Sequence, residues 1–162
     1  MRHAKSGWDD PTSDDHSRPL SQRGIGAARK IGAWLFENGY LPDLVLSSTA
    51  ERTRETWGNV KESLDVQPEV RFNKDLYLGS PDVMLNALRD VKTAGTVLLL
   101  GHNPGLGLAA SGFAKVSPRH PQFERYPTAA TTVLDFEVEN WSELSWGSGE
   151  IVDFMVPRDL DA

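Results

Sequence analysis

A five-residue apolar run, residues 96–100, is bounded by Gly95 and Gly101 and is followed directly by His102. A run of this length between two glycines predicts a buried β-strand. In open α/β sheets, ligands bind in the crevice outside the carboxyl ends of the strands. We therefore expect His102 to lie at a ligand site.

Strand and helix patterns alternate along the rest of the chain. Helices are expected after Ser21, Thr49, Ser80 and Pro104, where the side chains of Ser21, Thr49 and Ser80 are the predicted caps. Strands are expected at residues 43–47, 70–72, 96–100, 131–138 and 151–156. This alternation predicts an α/β fold, a three-layer sandwich with a mainly parallel central sheet flanked by helices. A length of 162 residues suits a single domain spanning residues 1–162.

Composition excludes several classes of protein. The chain has 17 basic and 23 acidic residues, a net charge of −6, so nucleic acid is not the expected partner. It contains no cysteine, which excludes disulfides, thiolate nucleophiles and zinc–thiolate sites. No apolar run approaches the length of a membrane span, so we expect no membrane association and a cytoplasmic location.

Four sequence blocks carry most of the candidate chemistry, and they occur in a fixed order. They are RHAKSGW at residues 2–8, RPLSQRG at 18–24, SSTAERTRET at 47–56 and GHNPGL at 101–106. Together they resemble the histidine phosphatase superfamily, and within it the small SixA-type phosphohistidine phosphatase branch. The resemblance implies a phosphoglycerate-mutase-like fold. Because the segment between the second helix and Ser80 is short, we expect no sizeable lid domain.

The resemblance also implies roles for four residues. His3 corresponds to the family nucleophile, which forms a phosphohistidine intermediate that water then cleaves. Arg2 and Arg52 correspond to the phosphate-binding arginines, whose forked donors suit tetrahedral oxyanions. His102 corresponds to the second histidine, which donates hydrogen bonds to the phosphoryl group in transit. Neither a metal nor a cofactor is needed for this chemistry.

Three further residues are candidate contacts to phosphate or substrate: Arg18, Ser6 and Asn103. Ser6 and Asn103 could instead orient the imidazoles. The acid that protonates the leaving group is not evident, because Asn103 stands where many family members have an aspartate. Asp75 and Tyr77 are weak candidates for that acid.

We expect the function to be hydrolysis of a phosphoryl group, with phosphohistidine on a protein as the substrate that the resemblance suggests. The expected partner is a phosphorylated protein, such as one with a phosphohistidine domain, or a small phosphorylated substrate. Two alternatives stay open: a phosphatase of small phosphoesters, and a non-catalytic phosphate-recognition module. The oligomeric state is not predicted.

Several other residues are expected to have no chemical role. His16 and His120 are predicted to be solvated, and the acids between Asp9 and Asp15 are predicted to be surface charge. Trp8 is placed at the mouth of the pocket.

One expectation concerns the start of the chain. In the family, the Arg-His pair follows a central strand, so about five or six residues of strand are expected ahead of Met1.

Overall fold

The computed structural model describes residues 1–8 and 10–161. Three strands form a parallel sheet in the order β2-β1-β3, with β1 at Leu44–Ser47, β2 at Glu69–Phe72 and β3 at Val97–Leu100. A second sheet pairs β4 (Thr131–Phe136) with β5 (Gly149–Met155) in antiparallel fashion. The α-helices are α1 (Gln22–Glu37), α2 (Glu51–Val60), α3 (Pro81–Arg89) and α4 (Gly105–Phe113).

The two faces of the parallel sheet are buried against different helices, as the alternation along β1 shows. Leu44 and Leu46 belong to one hydrophobic core, which they share with apolar residues of α3 and α4. Val45 points to the other core, which it shares with apolar residues of α1 and α2. Each fully buried aliphatic side chain contributes about 1.5–3 kcal/mol. The predicted three-layer α/β arrangement is confirmed. Within the described residues, no helix has both the length and the apolar character needed to cross a membrane.

The starts of the first two helices differ from each other in how they are capped. The Ser21 hydroxyl accepts a hydrogen bond from the amide of Gly24 at 3.1 Å, so the predicted cap of α1 is confirmed. The prediction that Thr49 caps α2 is wrong, because Ala50 is the capping residue and no side chain caps that end. The Thr49 hydroxyl instead lies 2.8 Å from Nε2 of His16. Ser80 is the N-cap residue of α3, but the prediction that its side chain caps the helix is wrong, because that side chain makes no capping hydrogen bond.

Residues 1–3 join the two sheets. Their backbone amides donate to the carbonyls of Ala130 and Gly101 at 3.0 and 3.1 Å, and the amide of Gly101 donates back to Met1 at 3.2 Å. The segment therefore runs parallel to the end of β3 and leads across to the start of β4. This placement fixes His3 beside the carboxyl end of β3.

A groove extends from Met1, in line with the segment formed by residues 1–3. It has a volume of about 910 Å³ and is lined by residues 96–99 on one side and 131–138 on the other. The α-amino group of Met1 is buried at this point, where it donates to the carbonyl of Leu99 at 2.9 Å, and burial lowers its pKa to about 5. The expectation of a strand ahead of Met1 stays a prediction.

We expect that five or six Val/Leu/Ile residues fused ahead of Met1 would raise the melting temperature and the rate of turnover together. The extension would fill the groove with apolar side chains and replace a buried amine by a peptide amide. Each kcal/mol gained should raise the melting temperature by about 2–4 °C. A Gly/Ser extension of equal length is the control, because it offers no apolar side chains. If the apolar extension changes neither quantity, the groove does not accept a strand.

Candidate active site

The two predicted histidines face each other at the carboxyl end of β3. The ring centroids of His3 and His102 are 5.2 Å apart, and the side chains are almost completely buried. His102 follows β3 after one glycine, and the amide of His3 donates to the carbonyl of that glycine, Gly101. The backbone of adjoining segments therefore sets the distance between the two rings.

The hydrogen bonds of His3 fix which ring nitrogen carries the proton. Its Nδ1 lies 2.7 Å from the carbonyl oxygen of Ala4, and a carbonyl can only accept. Nδ1 is therefore the protonated nitrogen, and Nε2 keeps its lone pair. The amide of Ala4 donates to the buried Thr56 hydroxyl at 2.9 Å, which fixes the carbonyl that orients the ring. His3 thus presents a neutral imidazole with a free nucleophilic nitrogen.

Burial and nearby positive charge keep both rings neutral. Burial is the main cause that lowers the pKa of His3 to about 4, and Arg52, Arg2 and Arg18 act in the same direction. The hydrogen bond to Ala4 opposes these effects. Burial, followed by the influence of His3, lowers the pKa of His102 to about 3. At neutral pH both imidazoles are uncharged.

We expect ¹⁵N NMR to show His3 and His102 still neutral as the pH falls from 6.5 toward 4. The unfolded chain binds protons on these two residues near pH 6.5, whereas the folded protein does not. The free energy of unfolding should therefore be at its plateau above pH 6.5 and should decrease as the pH falls through this window. Urea unfolding at several pH values measures this, and the urea-unfolded protein provides the control titration. Two rings that titrate near 6.5 in the folded protein would contradict the assignment.

Three arginines surround this pair, and each has a buried nitrogen without a partner. Among the described residues, the buried side-chain polar atoms that lack a hydrogen bond are Nε of Arg2, Arg18 and Arg52 and Nδ1 of His102. Buried groups of this kind are rare, because each leaves a desolvation penalty uncompensated. All four belong to residues that the sequence predicted at the site. Their chemistry fits an anion that accepts hydrogen bonds.

The anchoring of the three arginines differs. Nη1 of Arg2 donates a hydrogen bond to the carbonyl oxygen of Tyr126 at 3.0 Å. Arg52, on α2, is almost completely buried. The guanidinium of Arg18 lies 3.7 Å above the ring of Trp8, whose side chain is 65% exposed. Trp8 thus lies at the rim of the site, as predicted.

A carboxylate that the sequence did not single out lies between two of these arginines. Asp15 accepts a hydrogen bond from Nη2 of Arg52 at 3.0 Å, and the Tyr77 hydroxyl also donates to it. It forms an ion pair with Nη2 of Arg18 at 3.1 Å. The Tyr77 hydrogen bond, then the contact with Arg52, lowers the pKa of Asp15. The prediction that Asp15 is plain surface charge is wrong. Its position three residues before Arg18 was the available signal. Asp9 lies outside the described residues.

His102 is held by a second residue that the sequence did not single out. The Ser48 hydroxyl, fully buried just after β1, lies 2.8 Å from Nε2 of His102. The ring of Tyr77 meets His102 edge-on at 5.4 Å and His16 at 4.8 Å. The prediction that His16 is solvated is wrong, since its ring is partly buried between Tyr77 and the Thr49 hydroxyl.

Other predicted residues lie beside the site or away from it. The Asn103 side chain donates to the carbonyl of Tyr126 at 2.9 Å and accepts from the amide of Gly107 at 3.1 Å. It therefore secures the same carbonyl that anchors Arg2, and these bonds do not support a direct contact to phosphate or imidazole. Ser6 is paired with Leu20 through the backbone, and its predicted role stays a prediction.

Two further residues lie elsewhere. Asp75 is exposed, and its amide donates to the side chain of Asn73. Of the two weak candidates for the acid, only Tyr77 is therefore at the site. His120 is bonded through Nε2 to Asp159 at 2.8 Å and its ring meets Phe154, which corrects the prediction that it is solvated. No group of three or more His, Cys, Asp or Glu residues in the described chain is arranged to hold a metal ion.

Comparison with known proteins gives the chain a family context. A sequence model of the histidine phosphatase superfamily (branch 1) matches residues 1–76. An uncharacterized protein of Mycobacterium tuberculosis is 33% identical over 164 residues, which cover 98% of this chain and 100% of the relative. An uncharacterized protein of Mycobacterium leprae is 31% identical over 166 residues, with 98% and 100% covered.

Solved structures extend the similarity to the whole fold. One from Nakamurella multipartitia is 29% identical, with a TM-score of 0.82, and the match covers 97% of this chain and 93% of that one. One from Agrobacterium tumefaciens is 26% identical, with a TM-score of 0.77, and covers 97% and 95%. Both carry phosphohistidine phosphatase SixA as a provisional name.

Proposed function

Since the chain belongs to the histidine phosphatase superfamily (branch 1), we propose that it is a phosphatase that removes the phosphoryl group from phosphohistidine on a protein. The observation that carries the proposal is the state of His3, a neutral ring whose proton is held on Nδ1 by Ala4. Its Nε2 is free to attack phosphorus without first losing a proton. The buried Nε atoms of Arg2, Arg18 and Arg52 lack a hydrogen-bond partner, and donors of this kind suit an anion.

In the first step, Nε2 of His3 attacks the phosphorus atom of the substrate. The bond from phosphorus to the leaving nitrogen breaks, and its electron pair stays on that nitrogen. Arg2 and Arg52 bind the non-bridging oxygens, and His102 donates to the same group as charge develops on it. The product of this step is a phosphoryl group on Nε2 of His3.

In the second step, water attacks the phosphorus atom of this intermediate. The bond from phosphorus to Nε2 breaks, the ring of His3 recovers its lone pair, and a proton of the water passes to the released phosphate. The hydrogen bond from Nδ1 to Ala4 keeps the ring in one orientation throughout. This fixed orientation lowers the entropic cost of both steps.

Among the residues that the structure describes, none at the site is an evident proton donor, and this favours a nitrogen leaving group. Asp15 has a lowered pKa and is ionised at neutral pH, and the pKa of Tyr77 is raised by burial and by its bond to Asp15. Asp15 therefore has no proton to donate, and the Tyr77 hydroxyl already donates its proton to Asp15. Imidazole leaves phosphorus as a neutral ring when its other nitrogen is protonated, so it needs no strong acid. Phosphohistidine therefore suits the site better than phosphoserine does.

The short segment between α2 and α3 also suits a substrate group that is attached to a protein. Between α2 and α3 the described chain has only β2 and two short 3₁₀ turns, Lys61–Ser63 and Lys74–Leu76. None of these elements forms a domain over the histidines. The exposed ring of Trp8 lies at the rim, where a partner protein would approach.

A side-by-side release assay with phosphohistidine, phosphoserine and phosphotyrosine peptides tests the proposal. We expect phosphate release to be fastest from phosphohistidine. Equal or faster release from phosphoserine would favour the phosphatase of small phosphoesters. Binding of inorganic phosphate without turnover of any peptide would favour the non-catalytic recognition module.

A further inference from the structure

Asp15 contacts Arg52, which the proposed mechanism assigns to phosphate, and Arg18, which is a candidate contact to phosphate. Its carboxylate accepts hydrogen bonds from Arg52 and from the Tyr77 hydroxyl, and it forms an ion pair with Arg18. A carboxylate and a phosphoryl group both present oxygens that accept from forked arginine donors. Asp15 therefore occupies donors that a substrate needs.

The exposure of the partners shows which one can move. The side chain of Asp15 is 41% exposed, whereas that of Arg52 is 3% exposed. The carboxylate can turn out into solvent, while the guanidinium stays enclosed by the core. An ion pair with one exposed partner is also weak, because solvent and salt screen it.

Arg52 does not depend on this carboxylate for its position. Its Nη1 donates to the backbone carbonyl of Asp15 at 2.7 Å, a contact that any residue at that position retains. The loop that carries Asp15 is closed at its base by the amide of Gly7, which donates to the carbonyl of Pro19 at 3.0 Å. Removing the carboxylate should leave both the arginine and the loop in place.

We infer that Asp15 is a resident anion, which holds the arginines of the free enzyme, is displaced by the phosphoryl group, and sets how tightly the site retains inorganic phosphate. This inference rests on the proposed function only in taking the arginines as the phosphate site. After hydrolysis the carboxylate competes with the product for Arg52 and Arg18. It thereby favours release of phosphate and limits inhibition by free phosphate in the surroundings.

Calorimetric titration of the full chain with inorganic phosphate tests the inference. We expect Asp15→Asn to lower the Kd for phosphate by roughly fivefold or more, with a smaller difference at high salt because charge repulsion is screened. Asp14→Asn is the matched control. Asp14 is the exposed neighbour, its oxygen accepts from the amide of Ser17 at 2.8 Å, and its loss changes the net charge equally. Asp14→Asn should bind as the native chain does.

Affinity that is unchanged or weaker in Asp15→Asn overturns the inference and makes Asp15 a support for Arg52. If Asp15→Asn does not fold, Asp15→Ser keeps the backbone carbonyl and answers the same question. The outcomes also separate this inference from the proposed function. Tighter phosphate binding by Asp15→Asn, with no turnover of any peptide, supports the resident anion and contradicts the phosphatase. Turnover of a peptide, with unchanged phosphate binding by Asp15→Asn, supports the phosphatase and contradicts the resident anion.

Discussion

Replacing His3 by alanine is expected to lower turnover by about 10⁴-fold or more, because it removes the nucleophile on which both steps depend. The native enzyme, quenched rapidly at alkaline pH during turnover, should carry a phosphoryl label on the protein that acid removes. A phosphoramidate has this pattern of stability, and a serine phosphoester does not. His3→Ala should carry no label.

The chain offers a matched control for this substitution. His120 is bonded to Asp159 and lies outside the site, so His120→Ala should keep both label and turnover. Retained activity in His3→Ala, with the fold intact by circular dichroism, would contradict the covalent mechanism.

Replacing Arg52 by lysine is expected to lower kcat/KM by well over tenfold. Lysine keeps the charge but loses the planar fork, whose Nη1 and Nη2 atoms make two separate contacts in the free protein. A tenfold loss corresponds to about 1.4 kcal/mol of transition-state stabilisation. Steady-state kinetics on a phosphohistidine peptide measures the effect.

Arg54 provides the comparison on the same helix. Its guanidinium lies over the ring of Phe72 and its Nε donates to the carbonyl of Thr49, away from the histidines. Arg54→Lys should therefore have kinetics close to those of the native chain. Near-normal kinetics in Arg52→Lys as well would reduce Arg52 to a structural partner of Asp15.

Both histidines were predicted at the site, His102 from a local pattern and His3 from the family resemblance. A short apolar strand followed by Gly101 places His102 at the carboxyl end of that strand, and the resemblance of the RHAKS block to the family supplies the second ring. The first helix could also be predicted from the sequence, because its apolar spacing and the Ser21 cap lie within one turn of each other. These signals span a few residues.

What the sequence left out depends on contacts between distant parts of the chain. Asp15 meets Arg52 and Tyr77 across 37 and 62 positions, and no spacing rule identifies one loop acid among several. Thr49 failed as a cap because its hydroxyl meets His16, 33 positions away. The connection between the two sheets includes the hydrogen bond from the Met1 amino group to the Leu99 carbonyl, 98 positions apart. Tertiary packing decided each of these.

The loop closed by Gly7 and Pro19 contacts Arg52 but contains neither of the histidines of the proposed mechanism. His3 and His102 are fixed by the sheet, whereas Asp15, Arg18 and Trp8 all belong to that loop. Exchange of the loop between relatives would therefore alter which phosphorylated molecules are admitted and how fast the product departs, while the histidines stay in register. Under the proposed function, substrate selectivity can therefore diverge through this one short loop, while the histidines that act on the phosphoryl group stay unchanged.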